Sequence, residues 1–105
     1  DLAIAKNIDK IRKYGKYPEA LLDLSAHRID AVVGDEILLR YYLSKREGQY
    51  RILEDNFGSE QYGVAFRKDD DAFRTAVDAA LDTMRKDDTA AAISKKWFGD
   101  NMVLN

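Results

Sequence analysis

A chain of 105 residues with 46% hydrophobic and 34% charged side chains has the balance of one small globular domain, or of one piece of a larger one. Its 17 basic and 19 acidic residues nearly cancel to a formal net charge of −2, so no long-range field draws nucleic acid or an anionic membrane. The lack of cysteine excludes disulfides, thiolate metal sites and a cysteine nucleophile, and no apolar stretch approaches the ~20 residues of a membrane helix.

In chain order, residues 1–7, DLAIAKN, read as a helix, with Asp1 suited to its start and Asn7 to its end. Residues 11–17, IRKYGKY, suit a short strand that Gly15 weakens. Pro18 reads as a first helical position, since its fixed φ suits that turn, and Glu19 complements the dipole. Leu21, Leu22 and Leu24 then form an apolar stripe up to about Ala26. Ile29 to Val33 is short, β-branched and nearly all apolar, as expected of a strand covered on both faces. A helix from about Asp35 to Lys45 carries Ile37, Leu38, Tyr41 and Tyr42 at helical spacing, and Gly48 breaks it.

Tyr50 to Leu53 is a further short strand, Asn56 to Ser59 a loop, and Tyr62 to Phe66 another strand that Arg67 and Lys68 end. The longest helix begins after Asp69, Asp70 and Asp71. Phe73, Ala76, Val77, Ala80, Leu81 and Met84 make its amphipathic stripe. Asp87, Asp88 and Thr89 interrupt it and cap a last helix, with Ile93 and Trp97 on one side. Strands alternate with helices through residue 53, which predicts α/β architecture with parallel βαβ units. The rhythm changes near Gln61, a structural boundary. No signal peptide pattern is present and the chain opens at Asp1 without Met, so a mature form or a fragment is expected.

Asp35 carries two compatible readings. It is placed to cap a helix, with Glu36 complementing the dipole. It also lies just past the carboxyl end of a strand, where open α/β sheets hold ligands, and Gly34 lets backbone approach closely. A carboxylate there attracts a cation such as an ammonium. The triple aspartate 69–71 lacks the alternating ligands of a calcium loop and reads as a cap with solvated charges. His27, the one histidine, reads as a surface residue at a helix end. Scattered basic pairs flanked by acids argue against nucleic-acid binding. Tyr41, Tyr42, Tyr50 and Tyr62 supply amphipathic rings, most of which read as packed against the sheet.

Three ordered stretches resemble the amino-acid-binding family of ABC-importer solute-binding proteins, two lobes joined by a hinge. They are Tyr17 to Ser44, containing "HRIDAVVGDE", then "EQYGVAFRKDD" from Glu60, and the run from Phe73 to Asn101 ending "KKWFGDN". The resemblance implies a partial periplasmic-binding-protein fold: a mostly parallel sheet flanked by helices, with two C-terminal helices. It implies that residues 1–60 belong to the second, ligand-binding lobe, that 61–66 return across the hinge, and that 67–105 pack on the first lobe. It assigns the ammonium of a free amino acid to Asp35, a neighbouring selectivity position to Gly34, and the hinge to Gln61, Tyr62 and Gly63. The implied partners are the importer's membrane subunits, with no cofactor and a periplasmic or extracellular setting, a membrane-anchored lipoprotein included. The exposed cleft of a fragment favours a homo-oligomer or a domain-swapped dimer. Two other classes share the fold and stay open: a cyclic-acid dehydratase with Asp35 or Glu36 as general acid, and the ligand-sensing domain of a receptor. The sequence departs from the family pattern at His27 and Asp88, where glycine is usual. Both are turn positions where positive φ is expected.

Overall fold

The computed structural model describes residues 7–104. The helix expected over 1–7 lies outside these apart from Asn7, whose φ is +57°. The chain divides at Ser59–Glu60 into two units. The first carries α1, Tyr17–Ser25, and α2, Glu36–Leu43; the second carries α3, Asp71–Lys86, and α4, Thr89–Phe98.

Helix α1 begins one residue before Pro18, behind an extended Lys16. Proline at the second position costs nothing, because that N–H would also lack an intrahelical acceptor. Ala20 and Leu21 are the buried apolar residues of the described chain. Leu22, about 100° round the helix from Leu21, is 64% exposed, so the leucine stripe is split between core and solvent.

The end of α1 is a Schellman turn. Arg28 N–H donates to the Asp23 carbonyl at 2.9 Å and His27 N–H to that of Leu24 at 3.1 Å. His27 sits in the left-handed region at φ +57°, the conformation the turn demands. Tyr50 closes over this helix end. Its hydroxyl donates to the Leu21 carbonyl at 3.1 Å and pairs with Ser25 Oγ.

In the second unit the stripe of α3 is present as expected, but its rings and branches are mostly uncovered. Phe73 is 58% exposed, and Leu81, Ile93 and Trp97 are 40%, 45% and 49% exposed. Phe66 meets Phe73 edge-on at 5.5 Å, which ties the segment before α3 to its first turn. Asp70 takes the N-cap place of α3, yet its carboxylate turns to Arg67 at 2.9 Å instead of capping. The expected aspartate cap of α4 comes from Asp87, whose Oδ1 accepts Thr89 N–H at 3.0 Å. Asp88 supplies the turn at φ +62°.

Helix α4 ends on Gly99 at φ +75°, where a side chain would be strained. The buried Ser94 hydroxyl then holds the following chain. It donates to the Asp100 carbonyl and accepts Met102 N–H, both at 2.8 Å.

Among the described residues no segment forms a sheet ladder: 11–16, 29–33, 50–53 and 61–66 run without helical or ladder bonds. A strand exists only with a neighbour to bond to, so the composition of Ile29–Val33 expresses a preference that these residues alone do not complete.

Two expectations follow. His27→Gly should raise stability by about 0.5–1 kcal/mol, because the left-handed strain of ~1–2 kcal/mol exceeds the extra entropy lost on ordering glycine. Urea denaturation followed by circular dichroism checks it; a lower midpoint contradicts it. Ser94→Ala should destabilise the second unit by about 2 kcal/mol, since it strips both backbone groups of their partner. The fluorescence of Trp97, the single tryptophan, reports that unfolding.

Candidate functional site

The first unit is organised by one carboxylate. Asp23 is only 8% exposed. Its oxygens accept Tyr14 O–H at 2.7 Å and Arg28 Nε–H at 2.7 Å, and Arg12 pairs with it at 2.9 Å. In the usual Schellman turn an apolar contact joins the residues at either end of the six-residue loop. Here an ion pair between Arg28 and Asp23 does so. The Tyr14 hydrogen bond, followed by that of Arg28, holds the Asp23 carboxyl below its ordinary 3.8. Burial, and then the bond to Asp23, push the Tyr14 phenol above 10.0. The result sets the exit direction of α1 and of the segment leading to Asp35.

At the far end of that segment, Asp35 caps α2: its Oδ1 accepts Leu38 N–H at 2.8 Å. The capping reading is therefore correct. A carboxylate carries several acceptor positions, so one backbone bond does not exhaust it. Glu36, the other carboxylate at this joint, is engaged by Arg40 at 2.8 Å one turn along. Gly34 and Asp35 are brought against Tyr17. The Asp35 N–H donates to the Tyr17 hydroxyl at 2.9 Å. A Cβ on Gly34 would lie 3.0 Å from that hydroxyl and 3.1 Å from the ring carbon bearing it. Glycine is needed here to admit the ring.

Tyr17 continues to Tyr42 of α2 at 6.2 Å, and Tyr42 to Tyr41 at 5.4 Å. Of the tyrosines expected to pack on a sheet, Tyr41 and Tyr42 pack on one another, Tyr50 sits over the end of α1 and Tyr62 is 64% exposed; Lys45 covers Tyr41 at 4.2 Å. The hinge candidates Gln61, Tyr62 and Gly63 lie in the second unit, all exposed. His27 is exposed at its turn. Among the described residues no group of three or more histidine, aspartate or glutamate side chains gathers as a metal would need.

Two elements escaped the reading of the sequence. Asp23 lies in a leucine-rich helix, and the signal was an acid interrupting an apolar stripe. Tyr17 precedes Pro18 with no motif to mark it; only proximity in space reveals it.

The profile of the bacterial extracellular solute-binding proteins, family 3, matches residues 2–100. The L-cystine-binding protein TcyJ of Escherichia coli K12 is 34% identical over 89 residues, 85% of this chain and 34% of its own length. The glutamate-binding protein GluB of Corynebacterium glutamicum is 29% identical over 100 residues, 90% of this chain and 34% of its own. A probable amino-acid-binding protein of Bacillus subtilis, YxeM, is 31% identical over 105 residues, 95% and 40%. No solved structure matches the chain. The chain spans about a third of the length of the first two relatives.

The Asp23 cluster makes stability depend on pH at both extremes. A carboxyl with a depressed native pKa contributes above 3.8 and loses that contribution as pH falls through its native value. A phenol with a raised one contributes below 10.0 and loses it as pH rises through its native value. Urea midpoints of the first unit should fall on both sides, with Tyr14→Phe moving the acid loss to higher pH. Asp87, lowered by its bonds to Thr89, gives the second unit a separate acid limb that Asp23→Asn leaves in place. An acid limb unmoved by Tyr14→Phe would break the argument.

Proposed function

The chain belongs to the bacterial extracellular solute-binding proteins, family 3, and from that membership we propose that it forms the C-terminal third of a receptor that captures an amino acid for an ABC importer. The first unit is part of the ligand-binding lobe. Its mostly parallel sheet, flanked by helices, is completed by strands outside this chain. Gln61, Tyr62 and Gly63 return through the hinge, and the two C-terminal helices pack on the other lobe. The uncovered stripe of α3 and α4 and the unpaired segment 29–33 support this reading. The receptor works outside the cytoplasmic membrane and delivers its ligand to the importer's membrane subunits.

One observation carries the assignment of the site. Asp35 stands where an apolar extended segment turns into a helix, with its backbone held by Tyr17 and its carboxylate steadied by Leu38 N–H. A steadied carboxylate suits the α-ammonium of an amino acid. Hinge closure around a ligand is the known motion of periplasmic binding proteins. As closure removes water, the attraction between ammonium and carboxylate strengthens. The role is capture: binding energy is used to hold the closed form, and no bond of the ligand is broken.

Relatives named for cystine and glutamate set the first ligands to try. In the full-length receptor, Asp35→Asn should weaken amino-acid binding at least about a hundredfold, since a buried ammonium without its counter-charge costs roughly 3–5 kcal/mol. Asparagine caps helices as well as aspartate, so stability should hardly change. Calorimetry showing unchanged affinity removes Asp35 from the site.

A further inference from the structure

Resting on the reading that Asp35 receives a primary ammonium, we propose that Tyr17 is the positioning residue that aims the Asp35 carboxylate, acting through the Asp35 amide and the bare backbone of Gly34. The problem it solves is mechanical. Within the described residues, Gly34 and Asp35 follow a segment with no sheet ladder, and Val33 just before them is 57% exposed. A carboxylate meant to meet one nitrogen atom must be held to within about half an ångström.

Tyr17 holds this junction from three sides. Its own backbone is fixed as the first residue of α1. Its ring stands 6.2 Å from that of Tyr42, which α2 carries. Its hydroxyl accepts Asp35 N–H at 2.9 Å. The starts of α1 and α2 are thereby joined across the Gly34–Asp35 junction. Asp35 is then held at both ends: its N–H by Tyr17, its Oδ1 by Leu38 N–H at 2.8 Å. Two hydrogen bonds on one residue leave its carboxylate little freedom to turn.

The ring also occupies the space a side chain at position 34 would take. A Cβ there would come within 3.0–3.1 Å of the phenol oxygen and its carbon, and closer still to the ring edge. Gly34 and Tyr17 therefore form one fitted pair. The phenol, in place of a side chain at 34, becomes the surface beside the carboxylate.

Tyr17→Phe tests this, because it keeps the ring that the fold packs and removes only the acceptor. The full-length receptor is titrated with L-cystine and the twenty standard L-amino acids, and the tightest binder is carried forward. Tyr17→Phe should weaken it about tenfold and Asp35→Asn at least a hundredfold. The double variant should bind no more weakly than Asp35→Asn alone. In the ligand-free receptor, the Asp35 amide should shift upfield and exchange faster in Tyr17→Phe. Affinity within twofold of wild type for Tyr17→Phe, with Asp35→Asn still crippled, overturns the role of Tyr17 and leaves the Asp35 assignment standing. An equal tenfold loss in both backgrounds means that Tyr17 touches the ligand itself, which also overturns positioning. Unchanged affinity in Asp35→Asn, or no binding of any amino acid tried, overturns the underlying reading and this proposal together.

Discussion

A carboxylate withdrawn from water must find partners or cost the fold dearly. Asp23 is such a group, and the first unit is arranged around meeting its demand. Tyr14 and Arg12 reach it from the chain before α1, and Arg28 from the chain after it. One side chain thus gathers both flanks of a nine-residue helix that is too short to persist alone. The buried apolar residues Ala20 and Leu21 are too few to do this by packing. The second unit repeats the device with a neutral group. Buried Ser94 folds residues 100–102 back onto α4 through two hydrogen bonds. In both units a polar side chain, satisfied on every side it presents, specifies where the chain goes next.

From Asp23 the consequences run towards Asp35. Arg28 is at once the donor to the Asp23 backbone and the partner of its carboxylate. The chain therefore leaves α1 in one direction only. Seven residues later it meets the beginning of the same helix, at Tyr17. The loop from Tyr17 through α1 and back to Asp35 is closed at both ends by hydrogen bonds of ordinary length. Glycine at 34 follows from that closure: two segments approach so closely that one must give up its side chain.

Features set by neighbours in the chain were legible in the sequence. The period of Phe73 to Met84 identified α3, and an aspartate before an apolar helical run identified the cap at 35. Positive φ at His27 and Asp88 followed from turns that favour glycine, and both residues adopt it. Features set by distant neighbours were hidden. Nothing in a linear reading pairs Tyr17 with Gly34, or Arg12 with Asp23, because those contacts depend on the path between them. Asp70 shows the same limit at short range. It had the chemistry of a cap, but an arginine three residues earlier competed for its carboxylate. The segment Ile29–Val33 marks another boundary: β-branched composition expresses a preference, while a strand requires a partner that composition does not supply.

The apolar surface completes the argument for a chain that works as part of something larger. An exposed apolar side chain is unremarkable singly, but Phe73, Leu81, Ile93 and Trp97 lie on two helices packed together. Covering each would be worth roughly 1.5–3 kcal/mol, comparable in sum to the whole stability of a small domain. Helices α3 and α4 carry a stripe whose spacing is that of a core face, yet they bury only a serine between them among the described residues. A chain spanning a third of its relatives leaves ample polypeptide to cover that face. In the proposed receptor the cover is the first lobe.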